Sequence, residues 1–134
     1  MEIFRSLGIS TSGMDVYQTW LDAVSDNIAN VNTIRSTDEA AYQERMVVVS
    51  SASRNGKPAG AVVTEARFGN PEGITIYDPT HPLADAEGMV RAPDMSLSDQ
   101  MTHMLIAQRA YQANVSAFER ARDAYRRALE IGGR

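Results

Sequence analysis

The sequence predicts an α+β fold in which long helices at the two ends of the chain pack as a coiled-coil-like pair, with a small β-rich insert between them. The helices are predicted because apolar residues near each end recur at alternating steps of three and four, which places them on one side of a helix. The insert is predicted because short β-branched runs, separated by glycine and proline, lie between these two ladders. We therefore divide the 134 residues into an N-terminal helix (1–33), an insert (34–95) and a C-terminal helix (96–134), the two helices forming one core domain.

The first helix is predicted from about residue 3 to about residue 31. Residues 8–13 contain two glycines and three hydroxyl residues, which are poor helix formers, so we expect a bend or an interruption there. Asn30, Asn32 and Thr33 favour the end of the helix. The first ladder has one polar position, Ser10, and its apolar members are Ile3, Leu7, Met14, Tyr17, Leu21, Val24, Ile28 and Val31.

Strand candidates follow a polar connector at residues 34–42. Residues 45–50 contain a run of three β-branched valines, Asn55-Gly56 is a strong signal for a two-residue hairpin turn, and residues 60–68 are the predicted partner strand. Residues 73–77 and 89–91 are further strand candidates. The intervening Asp-Pro-Thr-His-Pro segment is predicted to be irregular because its prolines lack N–H donors and bias the preceding residues toward extended geometry.

The second helix is predicted to begin near Ser96, where Ser-Leu-Ser-Asp has the spacing of a capping box, and to end before Gly132-Gly133. Gln108 and Arg122 occupy polar positions in its ladder. They either fix the register from a buried position or face water because the stripe is not a strict coiled coil. The apolar members of this second ladder are Leu97, Met101, Met104, Tyr111, Val115, Phe118, Tyr125 and Leu129.

Composition excludes several functional classes. The net charge of −4 argues against a duplex nucleic-acid binder, and no apolar run is long enough to span a bilayer. The first ladder starts at Ile3 without the basic and apolar regions of a secretory signal, so we expect no cleaved signal peptide, and the absence of cysteine excludes disulfides. A single two-helix hairpin would bury only one side of each ladder, so we expect assembly with further copies or related chains.

No catalytic, cofactor or metal site is expected. The carboxylates lack an accompanying nucleophile–base pair, and the serine-rich stretch at residues 8–13 lacks the lysine of a phosphate loop. The two histidines do not form a ligand cluster. We expect His81 to make a hydrogen bond that stabilises a turn and His103 to lie in solvent.

Four segments resemble bacterial flagellar axial proteins. Residues 26–33 (Asp-Asn-Ile-Ala-Asn-Val-Asn-Thr) resemble the motif that ends the N-terminal helix of rod, hook and hook-associated subunits. Residues 77–93 and 107–115, with the ending 128–132, are similar to the FlgC family of basal-body rod proteins, the proximal rod subunits. One departure is the stretch after Thr33, which is longer than the Pro-Gly-Tyr or Pro-Gly-Phe turn of many axial proteins and lacks glycine.

The resemblance implies a structural subunit of the proximal rod that assembles helically with related proteins, encloses the export channel and transmits torque. It implies contacts with copies of the chain, other rod proteins, the membrane-ring junction, the distal rod and the flagellar type III export apparatus. It also implies export without a cleaved signal peptide to the rod of the basal body in the periplasm. The alternative is a soluble helical-hairpin binding module or a type III secretion accessory protein.

The expected assembly interface draws on both helices. Amides of asparagines near the end of the first helix either bridge neighbouring subunits or only cap the helix. The resemblance adds an insert motif of Tyr77, Asp78, Pro79, His81 and Pro82. The interface residues are Leu21, Val24, Asn27, Ile28, Asn30, Asn32, Thr33, Gln108, Arg109, Tyr111, Asn114, Val115 and Phe118.

Overall fold

Along the chain, two small antiparallel sheets lie between two long helices, which confirms the predicted α+β class. The computed structural model describes residues 2–132. The helices are α1 (Glu2–Asn30) and α2 (Leu97–Gly132). The strands are β1 (Arg45–Arg54), β2 (Lys57–Phe68), β3 (Ile74–Tyr77) and β4 (Met89–Ala92).

Helix α1 runs without interruption through residues 8–13, where the sequence predicted a bend or a break. The hydroxyl groups remain compatible with the helix because they donate to carbonyls in the preceding turn, Thr11 to Leu7 at 3.0 Å and Ser12 to Ile9 at 2.7 Å. Gly13 gives α2 room, since a Cβ at this position would lie only 2.7 Å from Cγ of Asn114. These weak helix formers are therefore retained by tertiary contacts that override local propensity.

The two helices are antiparallel, and their contact includes small and polar residues as well as aromatic rings. The ring centroids of Phe4 and Tyr125 lie 5.2 Å apart near one end, and Asn27 bonds to Gln100 near the other. On α2, Gln100 and Ala107 are the buried residues. They precede second-ladder positions by one residue, which is about 100° around a helix. The second ladder therefore faces partly away from α1.

The β1–β2 hairpin confirms the Asn55-Gly56 prediction. Both residues have positive φ, 53° and 73°, as a type I′ turn requires. The strands pair from Arg45 opposite Phe68 to Arg54 opposite Lys57 and reach the turn, further than the sequence predicted. The hairpin lies along α1, where the amide of Ala61 donates to the hydroxyl of Ser12 at 3.1 Å.

The second sheet pairs β3 with β4, from Ile74 opposite Ala92 to Tyr77 opposite Met89. An isolated bridge between Arg35 and Arg91 ties the connector after α1 to this sheet. The predicted irregular segment lies in the loop between the two strands. The β3–β4 sheet therefore lies at the end of the helix pair where α1 ends and α2 begins, whereas the β1–β2 hairpin extends along α1.

The molecule leaves an unusually large surface open. It exposes 9011 Å², against about 6,900 Å² for a compact monomer of this mass. No helix within residues 2–132 is long and apolar enough to cross a membrane. The buried apolar residues in this part of the chain are small or medium-sized: Val16, Ala23, Val24, Ala41, Val90, Ala92 and Ala107.

The close approach of the hairpin to α1 predicts a strong requirement for glycine at position 60. Gly60 has a φ of 109°, and a Cβ there would lie 2.9 Å from Cβ of Ser12. Gly60→Ala is expected to lower the free energy of unfolding by roughly 1–3 kcal/mol because of backbone strain. Thermal unfolding followed by circular dichroism measures this change.

Gly8→Ala is the matched control, because no atom lies within 4 Å of a Cβ at that position. It is expected to stabilise α1 by roughly 0.5–1 kcal/mol. Equal unfolding midpoints for the two variants would contradict the contact between the hairpin and α1.

Candidate assembly interface

Asn27 joins three parts of the chain through a side chain that is only 1% exposed. Its Nδ2 donates to the carbonyl of Arg45 at 3.0 Å and to Oε1 of Gln100 at 2.9 Å. Its Oδ1 accepts from the amide of Arg45 at 2.8 Å and from the hydroxyl of Tyr42 at 3.2 Å. Both donors and the acceptor of the amide are therefore used inside the chain.

Gln100 extends this junction to the segment before β1. Its Nε2 donates to Oε1 of Glu44 at 2.6 Å while its own oxygen accepts from Asn27. Burial, reinforced by the charge of Asp26, raises the pKa of Tyr42, whose hydroxyl also bonds within the junction. Among residues 2–132, no buried side-chain nitrogen or oxygen lacks a partner. A fully paired network of this kind is stabilising because each buried polar group has a hydrogen-bond partner in place of the water that it lost.

The three asparagines of the first motif thus differ in their roles. Asn27 is internal and offers almost no surface to a neighbouring molecule. Asn30 closes the helix, since its amide donates to the carbonyl of Asp26 at 2.9 Å and its oxygen accepts from the hydroxyl of Thr33 at 3.2 Å. Asn32 is exposed. The helix-ending interpretation therefore describes Asn30, and an intersubunit role for Asn32 stays a prediction.

The remaining interface candidates lie at different depths on the helix pair. Val24 is buried, whereas Gln108 and Arg109 are exposed. Gln108 and Arg122 are both exposed in the single chain, and a register-fixing role in contact with other subunits stays a prediction. Asn114 packs against Gly13 and donates to the carbonyl of Ala110 at 2.8 Å. The half-buried candidates are Leu21, Ile28, Tyr111, Val115 and Phe118.

The insert motif forms a hydrogen-bonded loop. Nδ1 of His81 accepts from the amide of Leu83 at 3.1 Å, which confirms the predicted turn-stabilising bond. Asp78 accepts from the amide of Thr80 at 3.2 Å and from its hydroxyl at 2.8 Å. Tyr77, Pro79 and Pro82 are exposed.

Asp85 ties this loop to the connector after α1. Its carboxylate accepts from the amides of Met89 and Glu87 and from the hydroxyl of Thr37. The Met89 bond is the largest of the effects that lower the pKa of Asp85. The charged form is therefore the one that orders the loop.

His103 differs from the prediction that it lies in solvent. It is half-buried, and its ring centroid is 5.9 Å from that of Trp20 on α1. Sequence reasoning also missed the roles of Gln100 and Glu44. A partial signal for Gln100 was Ala107, a small residue seven positions further along α2 and therefore on the same side of the helix.

The side of α2 turned away from α1 carries large apolar residues. Met101 and Leu105 are 55% and 57% exposed, one turn apart on the helix. Leu97 and Ile106 are 44% and 49% exposed in the same part of the helix. We call these four residues the open apolar face. It is the strongest candidate for contact with another subunit, since contiguous apolar surface of this kind marks interaction sites.

Comparisons with known proteins agree with the sequence motifs. The family model described as the C-terminal region of the flagellar basal body rod FlgEFG proteins matches residues 86–131. The flagellar basal-body rod protein FlgC of Aquifex aeolicus is 31% identical, with 97% of each chain covered. The chain belongs to the FlgC family. FlgC of Bacillus subtilis is 30% identical over 98% of this chain and 99% of its own. FlgC of Borreliella burgdorferi is 28% identical over 98% of both chains.

The relationship to FlgC extends over the helices and the insert alike. The segment matched by the family model includes β4, the start of α2 with Gln100, and the open apolar face. The Asn27 junction and the open apolar face thus belong to a chain related to FlgC along nearly its whole length.

The Asn27 junction predicts a large stability loss when the amide is removed. Asn27→Leu leaves buried groups of Arg45, Tyr42 and Gln100 without partners, each at a cost of about 1–3 kcal/mol. We expect a lower unfolding midpoint and faster proteolysis of the connector. Asn32→Ala is the control, expected to change the free energy of unfolding by less than about 0.5 kcal/mol. Equal loss in both variants would mean that the junction does not hold α1 to the insert.

Proposed function

We propose that this chain is a structural subunit of the flagellar basal-body rod, positioned in its proximal part, and assembles helically with related rod proteins around the export channel. The observation that carries the proposal is the open apolar face of α2, together with membership of the FlgC family. The role is mechanical rather than catalytic. The rod of the basal body is the site of action.

The open apolar face supports a role in assembly because it is not needed to join the two helices. The contact between α1 and α2 uses Gln100, Ala107 and the Gly13–Asn114 approach instead. Transfer of Met101 and Leu105 from water into a protein contact would contribute about 1.5–3 kcal/mol for each side chain when fully buried. Several such contacts per subunit are enough to drive stable association.

A monomeric hairpin module would be expected to seal its apolar surface internally. The exposed area of 9011 Å² and the small size of the buried residues argue against that alternative. Neighbouring subunits would instead complete the packing that the single chain leaves open. Contacts between unlike surfaces that do not close into a ring generate a helical tube.

Torque transmission follows from the same packing. Long helices buried against several neighbours share a shear load over many apolar contacts, and close-packed interiors deform little. The half-buried residues Tyr111, Val115 and Phe118 lie beside the open apolar face and would extend the contact. Gln108 and Arg109 would supply polar groups at its edge.

The proposal predicts that a charge on the open apolar face blocks incorporation without unfolding the chain. Met101→Glu places a carboxylate where we expect a desolvated contact, so rod incorporation and swimming should be lost. Because Met101 is 55% exposed, the thermal stability of the isolated chain should change by less than about 0.5 kcal/mol. Immunoblots of purified basal bodies and motility in soft agar measure the effect.

Ser116→Glu is the matched control, since it adds the same charge to α2 at an exposed polar residue about three turns beyond Ile106, the last residue of the open apolar face. It should be incorporated and support swimming. Normal motility of the Met101→Glu strain would refute a contact at this face. Equal loss in both strains would attribute the defect to charge alone.

A further inference from the structure

Charge is separated along the molecule. Residues 2–13, 52–60 and 114–132 meet at one end, as the Phe4–Tyr125 pair and the contact of Gly60 with Ser12 show. This basic end carries seven basic and four acidic residues. Residues 14–51 and 61–113 carry five basic and thirteen acidic residues. The net charge of −4 therefore conceals two regions of opposite sign.

The basic end presents two cationic features close together. A groove of about 400 Å³ lies between α1 and the hairpin turn and is lined by Phe4, Arg5, Arg54 and Lys57. Beside it, the last turns of α2 carry exposed Arg126 and Arg127. Leu129 and Ile131 on the same turns are 56% and 78% exposed. This helix end thus combines positive charge with open apolar side chains.

The opposite end has a groove of complementary character. It has a volume of about 570 Å³ and lies where α2 begins, between β3 and the loop after β4. Three carboxylates line it, those of Glu44, Asp94 and Asp99, and Ile74 and Met95 supply apolar surface. We call this the acidic groove. Its mixture of charge and apolar surface matches that of the helix end just described.

We propose that the acidic groove receives the basic C-terminal turns of α2 from a second copy of this chain, joining copies head to tail. Arg126 and Arg127 face the three carboxylates, and Leu129 and Ile131 pack on Ile74 and Met95. Exposed ion pairs contribute little binding energy each, so charge selects the orientation and the apolar side chains supply the affinity. This contact rests on the proposed function and names one of the interfaces of the rod.

The C-terminal turns of α2 cannot reach the acidic groove of the same chain. The start of α2 at Leu97 and Arg127 are thirty residues apart on one helix, a separation of about 45 Å. The contact is therefore between unlike surfaces of two molecules. Repeated, it extends along an axis instead of closing as a symmetric dimer.

Engineered disulfides test the contact directly, because the chain contains no cysteine. Asp94→Cys combined with Arg127→Cys should give disulfide-linked dimers and longer oligomers after mild oxidation of purified basal bodies. A disulfide requires Cα atoms within about 7 Å, so a link within one copy is excluded. Each single-cysteine variant should give no dimer of this chain. Non-reducing gel electrophoresis with immunoblotting measures the products.

Several outcomes would overturn the proposal. One is the absence of linked copies in assembled rods, both for this pair and for the neighbouring pair Met95→Cys with Arg126→Cys. Another is a dimer from Arg127→Cys alone, which would indicate a symmetric contact. A third is linkage only to a different protein, which would assign the groove to another partner.

Charge reversal tests the same contact without thiols. Arg126→Glu with Arg127→Glu should reduce the amount of this chain in basal bodies, and adding Asp94→Lys with Asp99→Lys should restore it. No reduction on reversal, or no restoration by the added lysines, would count against the pairing. If the natural chain is found in basal bodies and these tests fail, the head-to-tail contact fails and the rod function stands. Absence of the natural chain from basal bodies would refute the rod function itself.

Discussion

The buried amide of Asn27 determines how the helices and the insert are arranged. It binds the backbone of Arg45 at the start of β1 and the side chain of Gln100 near the start of α2. Because its donors and its acceptor are used at once, the direction of the chain after α1 and the register of the two helices are fixed together. The hairpin then follows α1, and the small glycine and alanine contacts along the helices become possible.

The same arrangement explains why the apolar stripes are divided between inside and outside. With Gln100 held against Asn27, the side of α2 that meets α1 is the one with Ala107, and the side with Met101 and Leu105 is left in water. A polar interaction thus decides which apolar residues are available to other molecules. The register of α2 against α1 therefore determines both which residues stabilise the single chain and which remain exposed for association.

Local features of this fold were predictable from sequence, whereas features set by distant residues were not. Asn55-Gly56 encodes its hairpin turn because both residues tolerate positive φ, and Ser96 starts α2 by accepting from the amide of Asp99 at 3.4 Å. The pairing of Asn27 with Gln100 spans 73 residues, so a pattern within α2 cannot identify the partner of Gln100. For the same reason, the contact of His103 with Trp20 and the continuity of α1 past Gly13 were missed. The second ladder indicated a helix correctly but could not reveal which of its sides faces α1.

The meeting of Phe4 with Tyr125 has a consequence for the order in which the native state forms. Phe4 and Tyr125 are 121 positions apart in the sequence, so the helix pair cannot be completed until the segment around Tyr125 has been made. Loop-closure entropy delays such distant pairings relative to local ones. A partly synthesised chain can therefore form the β1–β2 hairpin early, before Phe4 can contact Tyr125. Pairing of the two helices is thereby tied to the synthesis of the segment around Tyr125.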